Sequence, residues 1–155
     1  SKSYSLIQMQ AKYQFEDIHN FRRLKLISIT GFTRVFTAED KKSGNVYAAK
    51  CFAPPRITNQ SEMENDDSNL VQKGAYHEYQ MMSNLNHPAI IKVYGLSHLD
   101  FNEDSNPVLM LEYMPNGSLE NVVNQLRKAA IPPFWNHTKL LINLYGIASG
   151  MSHIH

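Results

Sequence analysis

Lys50 and Glu78 are the residues of this chain whose types and positions could do chemistry. Lys50 ends the strand-like run Val46-Tyr47-Ala48-Ala49-Lys50, and Glu78 falls on the apolar face of the helix predicted next. Removing one partner of a buried ion pair costs about 3–5 kcal/mol, so a lysine and a glutamate that both point inward are expected to be each other's partner. Opposite charges held together inside a fold mark a candidate site. The seven histidines compose no comparable constellation. His77-Glu78 begins like the zinc motif His-Glu-x-x-His, but position 81 is methionine. His153 and His155 are two apart and point to different faces of a helix. His87 precedes a proline in a turn, where capping is the usual role. The acidic run 62–67 lacks the spaced oxygen ligands and turn glycine of a calcium loop. Its neighbours Thr58, Ser61 and Ser68 are hydroxyls open to phosphorylation, with nothing that singles one out.

The chain that must position the pair has 155 residues, 43% hydrophobic and 19% charged, with a formal net charge of +1. That is enough for one globular domain. A charge so near zero gives no basic footprint for nucleic acid. No apolar run reaches the roughly 18 residues of a membrane helix, and no charged start followed by an apolar stretch marks a secretory signal. One cysteine, Cys51, excludes an internal disulfide framework and fits a reducing compartment, the cytoplasm. The first residue is Ser1, not methionine, as expected of a stretch inside a longer polypeptide or of a processed one.

Residues 1–22 are weakly patterned and read as a leader or linker with room for a short helix. Strands are predicted at 24–29, 34–38 and 46–52, with a turn at Lys42-Ser43-Gly44-Asn45. Residues on the third strand alternate between faces, so Lys50 shares one with Val46, Ala48 and Phe52. Pro54-Pro55 ends the pairing, because proline has no backbone donor. Residues 56–74 are polar and read as a solvated loop. A helix is predicted over 75–86, with Met81, Met82 and Leu85 three, four and seven positions after Glu78 on one face. Strands follow at 90–98 and 108–113, turned by 102–107. Ser118 is placed to cap a helix over 119–127, Ile131-Pro132-Pro133 breaks it, and a last amphipathic helix carries Leu140, Leu144, Ile147, Ala148, Met151 and Ile154.

This order, with its motifs, resembles the amino-terminal lobe of a eukaryotic-type protein kinase and the start of the lobe after it. Val46-Tyr47-Ala48-Ala49-Lys50 resembles the family's lysine strand. Glu78 lies nine residues before His87, as the family's helix glutamate lies before the same histidine. Leu85-Asn86-His87-Pro88-Ala89-Ile90-Ile91-Lys92-Val93-Tyr94-Gly95 is similar to the turn and strand after that helix. Leu109 to Leu119 is similar to the hinge between lobes, and Ile147 to His155 to the helix before the catalytic loop. The resemblance covers about residues 22–155.

The resemblance implies an α+β, protein-kinase-like fold: a twisted antiparallel five-stranded sheet with one packed helix, then helices of an incomplete second lobe. It divides residues 23–155 into an amino-terminal lobe (23–113) and a hinge with first carboxy-terminal helices (114–155). It implies ATP as ligand, with Lys50 on the α and β phosphates and Glu78 holding its direction. A helix–strand ion pair without ligand is the alternative. Ile27, Val35 and Ala48 would sandwich the adenine, Leu111 would guard the back of the pocket, and backbone groups of Glu112 and Met114 would meet the base. These apolar positions are equally read as core packing, and both readings hold together, because nucleotide pockets are mostly apolar. Met82 and Val93 match positions that stack between lobes, though plain core packing describes them as well.

The phosphate loop departs from the family. Its Gly-x-Gly-x-x-Gly positions are held here by Ser28, Thr30 and Thr33, with Gly31 between and Phe32 as the aromatic tip. Glycine lets the backbone approach a phosphate closely, which a β-branched threonine resists. Either nucleotide binds weakly or the loop runs differently around Gly31. Trp135 and the Gly117-Ser118-Leu119 helix start are similar to the tyrosine-kinase-like serine/threonine group, and the same helix start occurs in tyrosine kinases. Neither His-Arg-Asp nor Asp-Phe-Gly occurs in the 155 residues. These residues alone are therefore expected to lack phosphoryl transfer and to be marginally stable, with Mg expected only in the complete domain. Two functions follow from the resemblance: the ATP-binding part of a kinase acting on serine or threonine (tyrosine as the lesser alternative) of a protein substrate, or a pseudokinase or scaffold lobe that binds a regulatory protein.

Overall fold

Five strands form: Phe21–Thr30 (β1), Thr33–Asp40 (β2), Val46–Phe52 (β3), Val93–Ser97 (β4) and Val108–Glu112 (β5). The structure is a computed structural model that describes residues 16–53 and 65–155, with side chains from residue 69 onward in the helix that begins at Asn65. The strands form one antiparallel sheet in the order β1-β2-β3-β5-β4. β5 lies between β3 and β4, and its run Val108-Leu109-Met110-Leu111 is buried throughout. An unbroken apolar run is what a strand covered on both faces requires.

Register fixes what each face carries. Lys50 is opposite Val35 on one side and Leu109 on the other, and Ala48 is opposite Leu111. Directly paired residues share a face and alternate residues return to it. Val35, Ala48, Lys50, Phe52, Leu109 and Leu111 therefore lie on one face. The other face carries the main core: Ala38, Ala49, Cys51, Val108 and Met110, with Phe36 and Tyr47 packed against them. Ile18 and Phe21 are buried in that core. Within the stretch 1–22 read from sequence as leader or linker, the residues from a 3-10 turn at Ile18–Asn20 onward thus pack with the sheet. Ring edges meet at Phe21–Tyr47 (5.7 Å) and Tyr47–Tyr94 (5.0 Å), a geometry favoured by the aromatic quadrupole.

The helix after β3, Asn65–Ser83 (α1), starts ten residues before the predicted Ala75 and ends before Leu85. The region read as a loop over 56–74 is helical from 65, while 54–64, including Pro54-Pro55, lies outside the described residues. The helical period in fact extends upstream: Val71, Ala75 and Tyr79 are spaced by four, with Glu78 and Met82 on the adjoining row. Ala75 and Tyr79 are buried. Gly74, unfavourable by up to about 1 kcal/mol relative to alanine inside a helix, hides that period. Met81, expected on the buried stripe, is 60% exposed. β4 begins at Val93, not Ile90, because the Ile90 N–H donates to the His87 carbonyl (3.0 Å) and the Ala89 N–H to His87 Nδ1 (3.1 Å), closing a turn.

The chain divides into two units: residues up to Asn84 with Lys92–Tyr113, and Leu85–Ile91 with Met114–His155. The second holds Leu119–Arg127 (α2) and His137–Ile154 (α3). Ser118 caps α2 by accepting the Asn121 N–H (3.2 Å), and Asn136 caps α3 by accepting that of Lys139 (2.9 Å). Gly146 and Gly150 of α3 lie against Ala89, where an added Cβ would stand 3.6–3.7 Å from the alanine methyl. Leu144, Ile147 and Met151 are about half exposed.

Candidate functional site

Lys50 Nζ donates to both carboxylate oxygens of Glu78, at 2.7 Å to Oε1 and 2.9 Å to Oε2. β3 delivers the lysine and α1 the glutamate. The side chains are 25% and 30% exposed, so the pair expected to be buried sits at an open face of the sheet. Such a pair falls between exposed pairs, worth up to about 1 kcal/mol, and fully buried ones, whose disruption costs about 3–5 kcal/mol. Lys50 Nζ also lies 5.0 Å from the centroid of the Phe52 ring. Strand alternation put Phe52 on this face but assigned it no role.

Around the pair, Ala48 and Leu111 are buried and Val35 half-buried. Ser28 is opposite Val35 and so belongs to the same cross-strand row as Lys50. Ile27 falls in the irregular register between Leu26 and Ser28 and is 49% exposed. Glu112 has its N–H engaged by the Lys92 carbonyl (2.8 Å), and its Oε2 accepts the Lys92 N–H (3.3 Å). Met114 belongs to the second unit, where its carbonyl accepts the Gly117 N–H (3.3 Å).

A tight hairpin joins the first two strands beside this face. β1 runs through Ser28 to Thr30, which pairs with Thr33, leaving a two-residue hairpin turn of Gly31 and Phe32. Gly31 has φ +49°, and no positive φ occurs at Phe32. Glycine at the first of two turn positions is the pattern that suits the twist of paired strands. Thr33 Oγ1 donates to the Thr30 carbonyl (3.0 Å), and the two threonine hydroxyls bond each other (2.9 Å). The Ala53 N–H donates to the Phe32 carbonyl (2.9 Å), tying the tip to the end of β3. The threonines that stand at glycine positions thus clasp a tight turn.

Cys51 and His19 lie on the other side of the sheet or at its edge, away from the pair. Cys51 faces the opposite core, where burial, reinforced by the Asp100 carboxylate, pushes its thiol up to about 12. A thiol held protonated in this way is inert as a nucleophile. His19 Nδ1 meets Asp17 Oδ1 at 2.8 Å and its Nε2 meets Glu103 Oε1 at 3.2 Å. The hydrogen bonds to Asp17 and then Glu103 raise the imidazole above its ordinary value. No group of three or more His, Cys, Asp or Glu among the described residues could hold a metal ion. No helix among them is long and apolar enough to cross a membrane.

The sequence profile of the family described as "Protein kinase domain" matches residues 21–155. The chain is 26% identical over 146 residues to human "Mitogen-activated protein kinase kinase kinase 1", covering 94% of this chain and 9% of that protein. It is 31% identical over 136 residues to "Probable serine/threonine-protein kinase PBL21" of Arabidopsis thaliana, covering 88% of this chain and 31% of the relative. With "Serine/threonine-protein kinase PBL34" of the same plant it shares 30% identity over 148 residues, 93% of this chain and 28% of the relative. The chain thus spans less than a third of the length of each of these relatives.

Proposed function

The chain belongs to the protein kinase domain family, and on that premise we propose that its sheet unit holds the nucleotide of an ATP-dependent kinase that phosphorylates serine or threonine of protein substrates. The observation that carries this reading is the two-oxygen grip of Glu78 on Lys50. Phosphoryl transfer asks a protein mainly for positioning and charge stabilisation. An ammonium aimed by a carboxylate meets that need: Lys50 neutralises the α and β phosphates and Glu78 keeps it from swinging away.

Val35 and Ala48 supply apolar contact for the adenine on the same face, with Ile27 at its edge and Leu111 closing the back. The Glu112 N–H is already engaged, so contact with the base falls to its carbonyl. Ser28, Thr30 and Gly31 lie over the phosphates. Mg supplies charge neutralisation to such a reaction, but the described residues offer no carboxylate cluster to hold it. A cytoplasmic setting accompanies this reading, in keeping with a lone buried thiol.

A second reading, a pseudokinase or scaffold lobe that docks a regulatory protein, draws support from the threonine clasp at Thr30 and Thr33. A loop closed by side-chain bonds yields less readily to a phosphate than a run of glycines. Titration with ATP, with and without Mg, separates the two. Saturable binding that is lost in Lys50→Met supports the nucleotide site. No binding at millimolar ATP, with the fold intact by circular dichroism, supports the scaffold.

A further inference from the structure

We propose that Phe52 is a positioning residue for the Lys50 ammonium, so that affinity for nucleotide phosphates depends on the electron density of its ring. The inference rests on the nucleotide reading above and adds a residue to it. Glu78 approaches Lys50 Nζ through two oxygens, which fixes the ammonium from the α1 side only. Phe52 stands two residues on along β3, on the same face, with its ring centroid 5.0 Å from Nζ. That is within the roughly 6 Å over which a ring face attracts a cation.

The ring is itself buried. Phe52 is 7% exposed, and it lines a cleft of about 340 Å³ with Phe32 and Thr33 of the hairpin, and Leu70, Val71 and Gly74 of α1. The elements that carry the hairpin turn and Glu78 therefore also border the cleft beside the ring. The Phe52 backbone N–H is held by the Pro107 carbonyl (2.9 Å). A lysine side chain has four rotatable bonds and loses much of its freedom when held. A carboxylate on one side and a ring face on the other leave the ammonium one place to rest. Either partner alone leaves it a wider arc.

Two replacements separate ring electrostatics from packing: Phe52→Leu, and substitution of Phe52 by 3,4,5-trifluorophenylalanine, which keeps the shape and empties the ring face of charge. The ligands are ADP and adenosine, measured by calorimetry. Both replacements are expected to weaken ADP by about two- to fivefold and to leave adenosine unchanged. An equal loss for both ligands, or no loss with the fluorinated ring, overturns the proposal and leaves Phe52 a packing residue. A second readout needs no nucleotide: the proton shift of the Lys50 ε-methylene, displaced upfield by the ring it faces. The displacement is expected to shrink with the fluorinated ring, and an unchanged shift overturns the proposal. If the unaltered protein binds no ADP, the nucleotide reading fails by itself, and the methylene shift still decides whether Phe52 holds Lys50.

Discussion

Val35 stands directly opposite Lys50 in the β2–β3 ladder. Ser28 is opposite Val35, Leu109 is opposite Lys50 and Leu96 is opposite Leu109, so all five strands contribute to one row across the sheet. Residues from distant stretches of sequence thereby become neighbours on one face, and the row carries the ion pair. Ala48 and Leu111 form the next row. The candidate site is therefore a property of register. A slip of one residue in β3 would turn Lys50 toward the opposite core and place Ala49 or Cys51 here.

Filling the row should block it. Val35 is only half-buried, so Val35→Phe is accommodated by the fold but occupies the space beside Lys50. We expect ADP affinity to fall about tenfold, roughly 1.4 kcal/mol of binding, with little change in thermal midpoint. Calorimetry and circular dichroism on the same samples check both halves.

Two glycines should respond with opposite sign. Nothing lies within 4 Å of a Cβ built at Gly31 or at Gly74, so space does not decide either outcome. Gly31 has φ +49°, and Gly31→Ala should cost about 1–2 kcal/mol through left-handed backbone alone. Gly74 is within a helix, and Gly74→Ala should stabilise by about 0.5–1 kcal/mol. Urea denaturation of the two variants tests the pair of signs together.

Much of this fold is written in the chain locally. β3 occupies the residues its alternation assigns, and α2 starts where Ser118 can cap it. The start of α1 was hidden, because a glycine and a polar stretch mask a period that packing of Ala75 and Tyr79 makes visible. The threonine clasp of the hairpin was not legible, because a threonine at a glycine position does not name the partner its hydroxyl takes. The contact between Phe52 and Lys50 depends on side-chain orientations that strand alternation does not specify. The bond from His19 to Glu103 joins residues 84 apart in sequence, and no local pattern announces it.

That bond makes His19 responsive to pH. Both ring nitrogens face carboxylates, and a neutral imidazole has only one N–H to give, so the protonated ring satisfies both. Its hydrogen bond to Asp17, then that to Glu103, raises its pKa above 6.5. A group raised on folding contributes stability that is complete below its unfolded value and lost as pH rises through its folded one. The contact should therefore hold below about pH 6.5 and weaken above it. At the acid end it should weaken as Asp17, lowered from 3.8 by the His19 backbone N–H first and its ring second, becomes protonated. His98, lowered by burial, works in the opposite sense, so the measurement is the NMR titration of the His19 ring itself. A midpoint above 6.5 that returns toward it in Glu103→Gln is expected. A midpoint at or below 6.5 contradicts the geometry.

Cys51 should resist alkylation. Its thiol is buried and pushed up to about 12, so iodoacetamide at pH 8 should leave it unmodified in the folded protein and label it in urea. Rapid labelling of the folded protein, read by mass spectrometry, would show that the core face of β3 opens readily.

The most direct test of the central claim, that Lys50 and Glu78 act as one phosphate-orienting unit, is a double-mutant cycle on ADP affinity. Lys50→Met and Glu78→Gln are each expected to weaken ADP by about tenfold or more, and the double variant to bind no more weakly than Lys50→Met alone. Adenosine affinity should be indifferent to all three. Additive losses, or ADP binding that survives Lys50→Met in a folded protein, would contradict the account.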